Sequence, residues 1–168
     1  NSINCKICEI GKYSSSASSI ECEICSELTY SDTNGTINCK SCIANSVQSN
    51  DATFCECSEN TYHFNDECIK CPANFICPKG SFIDTLIVKE GYWRYSLNTT
   101  NTEECRSEYA CIGGIITNSS DDLCREGHVG PLCDVCIEGW AKNDGGCFEC
   151  KETNMGRSIA LTIIIPLI

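Results

Sequence analysis

Hydrophobic residues along this chain come in short clusters, and no helix-length apolar period appears before the C-terminal end. Runs rich in Ser, Asn, Thr and Gly separate the clusters, for example residues 14–19 and 31–36. Such runs are typical of turns that join short strands, in which side chains alternate with a period of two. The pattern therefore predicts serial short β-hairpins and much irregular structure.

The most apolar stretch of the first 150 residues lies between Cys77 and Cys105, where the chain has no other cysteine. Its side chains include Phe82, Leu86, Ile87, Val88, Tyr92, Trp93, Arg94 and Tyr95. One interpretation is that the last four form an exposed surface for a protein ligand, since Trp, Tyr and Arg dominate interface energetics. The other is a small core that holds this cysteine-poor segment. Burial of Trp93 would favour the core, and exposure in a contiguous apolar patch would favour the interaction surface.

A second apolar run, residues 159–168, ends the chain. It is too short to cross a bilayer, which takes about 20 residues in a helix. We interpret it as the first half of a transmembrane helix, which would make the membrane a partner of this chain. Two alternatives stay open. The run is also compatible with the tail of a glycosylphosphatidylinositol signal after the small residues Gly156 and Ser158, and with a short buried helix.

Composition identifies the compartment, because 18 of the 168 residues are cysteine. That fraction is typical of a disulfide scaffold, and disulfides persist in oxidising surroundings such as the cell exterior. Aromatic residues make up only 8% of the chain, so covalent bonds are expected to replace a large apolar core. The net charge of −11 comes from scattered Asp and Glu without any basic run, which argues against nucleic acid as a partner.

The cysteines form a repeat of seventeen residues. Its pairs are Cys5 and Cys8, Cys22 and Cys25, Cys39 and Cys42, with a weaker copy at Cys55 and Cys57 and a further pair at Cys68 and Cys71. Beyond these pairs the cysteine register fades. The best-preserved copy runs Cys8-Glu-Ile-Gly-Lys-Tyr13. This spacing resembles the cysteine-rich repeats of ephrin-receptor-like and tumour-necrosis-factor-receptor-like ectodomains, over residues 5–71.

In the simplest form of such a repeat, the second cysteine of one pair bonds to the first cysteine of the next. A bridge that closes a loop of about 15 residues contributes roughly 3 kcal/mol, so each repeat is expected to hold itself without a common core. Cys5 has no partner under this scheme, which fits a bridge to a preceding repeat. The resemblance implies four bridges, which are Cys8–Cys22, Cys25–Cys39, Cys42–Cys55 and Cys57–Cys68.

A second resemblance begins at Cys124. Eight residues separate Cys124 from Cys133, two separate Cys133 from Cys136, and three glycines between Cys124 and Trp140 mark tight turns. The spacing resembles the second half of a laminin-type EGF-like module, which implies the bridges Cys124–Cys133 and Cys136–Cys147. The whole order of repeats, module and membrane helix resembles large cysteine-rich surface proteins of protists. The pairing of six cysteines stays open: Cys5, Cys71, Cys77, Cys105, Cys111 and Cys150.

No constellation of residues points to catalysis or to a cofactor. Regular cysteine spacing favours bridges over closed sets of four zinc ligands, and no parallel-sheet pattern surrounds a CxxC pair as in a thioredoxin-like site. Asp121, Asp122 and Asp134 lack the ordered acidic motif of calcium-binding EGF-like modules, so solvated turns are the preferred interpretation. Neither His63 nor His128 has a catalytic neighbour. We therefore expect no enzyme activity, no metal and no small-molecule substrate.

Three sequons for N-linked glycosylation begin at Asn34, Asn98 and Asn118. Each lies in a predicted loop, where a glycan would point to solvent. Because the cysteine content already indicates the secretory route, we expect N-linked glycans on at least two of them.

These observations divide the chain into CxxC repeats (1–58), an atypical cysteine-rich segment with an aromatic cluster (59–104), the laminin EGF-like module (105–150), and a juxtamembrane linker with the start of a transmembrane helix (151–168). The predicted fold is small and disulfide-rich, an elongated rod of serial modules with short β-hairpins, each contacting only its neighbours. The predicted function is an extracellular, membrane-proximal stalk of a cell-surface glycoprotein, with a structural, spacing and protein-interaction role toward other extracellular proteins. The alternatives are a ligand-binding receptor ectodomain and a subunit of an extracellular filament or surface coat.

Overall fold

The structure, a computed structural model, describes residues 7–16 and 21–150. Cys5 and the apolar run 159–168 lie outside the described residues. The described part is a small disulfide-rich fold whose strands form eight separate two-stranded antiparallel sheets, and each sheet pairs two consecutive strands. The strands are β1 (Lys12–Tyr13), β2 (Glu23–Ile24), β3 (Thr29–Tyr30), β4 (Lys40–Ser41), β5 (Ser46–Gln48), β6 (Cys55–Cys57), β7 (Thr61–Phe64), β8 (Glu67–Lys70), β9 (Phe75–Ile76), β10 (Ile87–Val88), β11 (Tyr92–Arg94), β12 (Thr102–Glu104), β13 (His128–Val129), β14 (Val135–Cys136), β15 (Trp140–Asn143) and β16 (Gly146–Glu149).

Every hairpin opens with the same tight turn. The N–H of the first residue of the hairpin donates to the carbonyl oxygen three residues earlier, at 2.9–3.3 Å. In all but the fifth hairpin, the residue just before the strand has a positive φ, between 59° and 87°. This third turn position favours Gly and Asn, because a larger side chain is strained there. The seven residues are Gly11, Leu28, Asn45, Asn60, Gly91, Gly127 and Gly139.

The turn residue lies three positions after a cysteine in every hairpin except the sixth, where Val88 takes the place of the cysteine before Gly91. The structural unit is therefore a cysteine, two variable residues, the turn residue and a strand. This unit continues to β16, although the cysteine register of the sequence fades after Cys71. Its later copies carry the turn residue at a fixed position but have loops of unequal length, which hides them from a search for constant cysteine spacing.

Eight disulfides close the described part of the chain. Six are the pairs that the two resemblances imply, and the other two are pairs that the sequence left open. Cys150 is exposed and has no bridge among the described residues. The bridges are Cys8–Cys22, Cys25–Cys39, Cys42–Cys55, Cys57–Cys68, Cys71–Cys77, Cys105–Cys111, Cys124–Cys133 and Cys136–Cys147.

Residues 62–133 share one hydrophobic core. Its buried members are Tyr62, Phe75, Cys77, Leu86, Val88, Trp93, Cys105, Ala110, Cys111, Ile116, Leu123, Cys124 and Cys133. Strand β11 packs against two turns of 3-10 helix, Ser120–Leu123, which precedes the next hairpin, and Pro131–Cys133, which lies between the two strands of that hairpin. The core therefore spans the boundary between the segment 59–104 and the segment 105–150, which are neighbours in the chain. Leu86, Val88 and Trp93 of the cysteine-poor gap are buried in this core, whereas Phe82 is exposed.

The described residues contain no α-helix, and their only helical turns are of the 3-10 type, at Ile83–Thr85, Glu108–Ala110, Ser120–Leu123 and Pro131–Cys133. Within residues 7–16 and 21–150, no helix has the length and apolar character of a membrane span.

Candidate functional site

The aromatic segment 92–95 is divided between the core and the surface. Trp93 is 8% exposed and Arg94 is 1% exposed, whereas Tyr95 is 78% exposed. Tyr92 is half-buried and packs against the core. The ring of Tyr95 meets the indole of Trp93 edge-on, with centroids 6.2 Å apart. Burial of Trp93 and Arg94 favours the core interpretation of this segment, and it leaves Tyr95 as the exposed aromatic side chain.

Arg94 is a buried cation that holds backbone rather than a ligand. Its Nε donates to the carbonyl oxygen of Ser96 at 2.6 Å, and its Nη2 donates to the carbonyl oxygens of Ile83, at 2.9 Å, and Leu97. The guanidinium also lies over the ring of Phe75, 5.4 Å from its centroid. Burial lowers the pKa of Arg94 below its usual range. These contacts fix the loop that leaves β11.

A groove of about 270 Å³ lies beside this loop. Trp93 and Glu103 stand opposite each other in the β11–β12 hairpin, and the other lining residues belong to the loop between the two strands. The indole N–H of Trp93 has no hydrogen-bond acceptor among the described residues. The lining thus combines two aromatic rings with hydroxyl, amide and carboxylate groups. It consists of Trp93, Tyr95, Ser96, Thr99, Asn101 and Glu103.

All three sequon asparagines are exposed and lie in turns or bends outside the strands. The side-chain oxygen of Asn34 accepts a hydrogen bond from the N–H of Ile10 at 3.0 Å. The side-chain amide of Asn118 donates to the hydroxyl of Thr117 at 3.2 Å. Asn98 lies in the loop beside the groove. Each position has the solvent access that an attached glycan needs.

Asp122 organises the loop of the Asn118 sequon. Its Oδ2 accepts hydrogen bonds from the N–H of Asn118 at 2.8 Å, and from the N–H and the hydroxyl of Thr117 at 2.7 and 2.8 Å. These bonds lower the pKa of Asp122 to about 2, because they stabilise the charged carboxylate. In the same loop, Ser120 Oγ donates to the carbonyl oxygen of Tyr95 at 2.6 Å. The loops of the Asn98 and Asn118 sequons are therefore in direct contact.

The other two acidic residues of the calcium hypothesis also bond to protein groups. Asp121 Oδ1 accepts from the N–H of Gly130 at 2.6 Å. Asp134 pairs with Lys142 and with Arg106, the latter at 3.3 Å, and the hydrogen bond from Lys142 lowers the pKa of Asp134. In the part of the chain that the structure describes, no group of three or more His, Cys, Asp or Glu side chains is arranged to hold a metal ion.

His128 has a structural role that the sequence did not reveal. Its side chain is buried, its Nδ1 lies 2.9 Å from the carbonyl oxygen of Cys133, and its Nε2 accepts from the N–H of Cys147 at 2.9 Å. This hydrogen-bond pattern assigns the proton to Nδ1, since Nε2 faces a donor. The ring thereby connects the loops of the last two disulfides. A His that follows a turn glycine is the only sequence signal for this contact, and it is a weak one.

A second, open groove of about 680 Å³ lies between the turn at Asn45 and strand β8. Ile43 and Ile69 supply its apolar lining, and Asp66 and Glu67 supply carboxylates. It offers lateral surface where the turn at Asn45 meets the first hairpin of the shared core.

Comparison of the chain with protein families, with characterised proteins and with solved structures finds no match. The structure shows a small disulfide-rich domain of serial two-strand hairpins with eight disulfides. A chain with this many bridges is typical of an extracellular, structural protein.

Proposed function

We propose that the chain is the extracellular, membrane-proximal stalk of a cell-surface glycoprotein, with a structural, spacing and protein-interaction role and no enzyme activity. The observation that carries the proposal is the local closure of successive hairpins. All eight bridges join cysteines between 6 and 14 positions apart. Because each bridge is local, a series of such units extends along the chain as a spacer does.

The burial of Trp93 and Arg94 supports a stalk over a ligand-binding ectodomain. Residues of these two types are the usual anchors of a protein interface, but here they stabilise the segment between Cys77 and Cys105 from within. The core stabilises this segment, which has no bridge of its own, as a local bridge stabilises the other segments.

The proposed partners follow from the same assignment. The apolar run 159–168 would enter the membrane. Other extracellular proteins would contact the lateral surface, for which the groove beside β8 is the best candidate. With a net charge of −11, the chain would repel nucleic acid. We propose no small-molecule substrate and no cofactor beyond N-linked glycans.

Non-reducing peptide mapping by mass spectrometry tests the compartment. The protein is isolated from its native membrane, and one half of the sample is treated with a glycosidase that converts glycosylated Asn to Asp. We expect the eight bridges of the structure, and glycans on at least two of the three sequon asparagines. Free thiols together with bare asparagines would contradict an extracellular protein and favour a metal-binding intracellular one.

Small-angle X-ray scattering of the same sample tests the spacing role. A compact globule of this length has a radius of gyration of about 15 Å. We expect a clearly larger value, with the pair-distance distribution of a rod. A value near that of the globule would contradict a spacer, while leaving the compartment assignment intact.

A further inference from the structure

The groove beside β11 and the sequon in the adjoining loop belong to one site. We infer that the first N-acetylglucosamine of a glycan on Asn98 binds in this groove, so that the glycan becomes a fixed part of the surface. The inference rests on the proposed function, since it requires glycosylation of Asn98.

The first argument is position. Asn98 is exposed, and residues on both of its sides, Ser96 and Thr99, line the groove. Tyr95 lies three residues before the glycosylation site and also lines the groove. A sugar attached to Asn98 therefore starts at the rim of the groove, and its first ring has only a short distance to cover.

The second argument is chemistry. A pyranose has apolar faces of C–H groups, which pack on aromatic rings, and hydroxyl and acetamide groups, which need hydrogen-bond partners. Tyr95 offers an exposed ring supported edge-on by Trp93. Asn101 and Glu103 expose an amide and a carboxylate on the polar side. At about 270 Å³, the groove is just below the usual range of ligand sites, which begins near 300 Å³, so it suits one sugar unit.

The third argument is preorganisation. The three consecutive carbonyls before Asn98 are all held by hydrogen bonds. Ser120 Oγ donates to that of Tyr95, and Arg94 donates to those of Ser96 and Leu97. A loop that is already ordered loses little conformational entropy when the sugar binds. These hydrogen bonds therefore favour a single orientation of the glycan.

A double-mutant cycle tests the contact in protein secreted from eukaryotic cells. The variants are Tyr95→Ala, Asn98→Gln and the combination of both. We expect Tyr95→Ala to lower the melting temperature of the glycosylated protein by about 2–4 °C, and to have much less effect in the Asn98→Gln background. Enzymatic trimming to a single N-acetylglucosamine should preserve the effect, because only the first sugar enters the groove.

Asn118→Gln is the matched control, because its sequon lies in the loop that touches Tyr95. The effect of Tyr95→Ala should be unchanged in this background. Proton NMR supplies a direct measurement, in which nuclear Overhauser effects are expected between the ring of Tyr95 and the first sugar on Asn98.

Several results would overturn the inference. One is an equal effect of Tyr95→Ala with and without the Asn98 glycan, and another is coupling of Tyr95 to the Asn118 glycan instead. Absence of the Overhauser effects would also overturn it. So would binding of added chitobiose in the groove of the glycosylated protein, because a groove filled by the attached glycan has no room for it. A bare Asn98 beside a glycosylated Asn34 or Asn118 would overturn this inference alone. Bare asparagines with free thiols would overturn the proposed function itself.

Discussion

At the scale of single residues, a few side chains make hydrogen bonds to backbone groups that the short strands leave unpaired. The strands span two to four residues, so many N–H and C=O groups lie outside any ladder and need other partners. Arg94 binds three carbonyls, Asp122 binds two successive N–H groups, and His128 binds one carbonyl and one N–H. Each of these residues joins segments that no strand pairing joins.

Replacement of Arg94 tests this role. Arg94→Met keeps the apolar stem but leaves buried carbonyls without donors, so we expect a loss of about 2–4 kcal/mol in the free energy of unfolding. The matched control is Arg106→Met, because the side chain of Arg106 is 77% exposed. Its exposed ion pair is worth about 0–1 kcal/mol. Equal losses in the free energy of unfolding of the two variants, measured by guanidinium denaturation, would show that the hydrogen bonds of Arg94 to the backbone are unimportant.

The lowered pKa of Asp122 predicts that the loop around Asn118 loses stability in acid. This pKa falls from 3.8 to about 2 in the folded protein. A lowered pKa adds stability that is fully present above pH 3.8 and is lost as the pH falls through about 2. NMR titration of the Asp122 carboxyl, with the Thr117 and Asn118 amide signals, checks this. Asp122→Ala, which removes the acceptor, should abolish the protection of both amides at neutral pH, whereas Asp144→Ala should not. A midpoint near 3.8 in the folded protein would contradict the hydrogen-bond assignment.

At the scale of elements, the hairpin is built around a turn residue with positive φ. Glycine and asparagine occupy this position in six of the seven copies that show it, and Leu28 is the exception, with φ of 63°. The position also sets close contacts. A Cβ on Gly11 would come within 2.2 Å of the carbonyl oxygen of Asp51. The fold thus requires glycine at Gly11 for two reasons. Leu28 is 57% exposed, so its side chain has room and the unfavourable factor there is the positive φ.

Leu28→Gly should therefore stabilise the protein. The left-handed conformation costs a non-glycine residue roughly 1–2 kcal/mol, of which the extra backbone entropy of glycine in the unfolded state offsets part, about 0.5–1 kcal/mol. We expect a net gain of about 0.5–1 kcal/mol in guanidinium denaturation. Gly11→Ala, at the equivalent position, should instead destabilise. A loss of stability in Leu28→Gly would mean that the leucine side chain makes contacts worth more than the strain.

At the scale of the whole molecule, the first and the second part of the chain are stabilised in different ways. Residues 7–57 contribute no member to the shared hydrophobic core. Their hairpins are held by their own bridges and by hydrogen bonds to the next hairpin, such as that from the N–H of Gly11 to the carbonyl oxygen of Ser31 at 2.8 Å. Residues 62–133 share a core in which five of the thirteen buried members are disulfide-bonded cysteines. Loss of one bridge should therefore stay local in the first part and spread in the second.

Two paired cysteine-to-serine variants test this difference by hydrogen exchange. Removal of Cys25–Cys39 should release β3 and β4 and leave the amides of residues 75–133 protected, because a bridge of this loop length contributes roughly 3 kcal/mol to its own unit. Removal of Cys105–Cys111, whose cysteines are 4% and 0% exposed, should raise exchange across the core. Local effects in both variants would show that the core does not couple its hairpins.

The sequence predicted the serial hairpins, and the two family resemblances implied six of the eight bridges. It left Cys71–Cys77 and Cys105–Cys111 open. It also predicted the exposure of Asn34, Asn98 and Asn118, since turn composition is local. It did not determine which of its two interpretations holds for Trp93 and Arg94, and it missed the role of His128. Those outcomes depend on which distant loops pack over β11 and between the last two bridges. Short strands carry too weak a pattern to decide that, and only the tertiary structure does, because burial is a property of contacts between residues far apart in the chain.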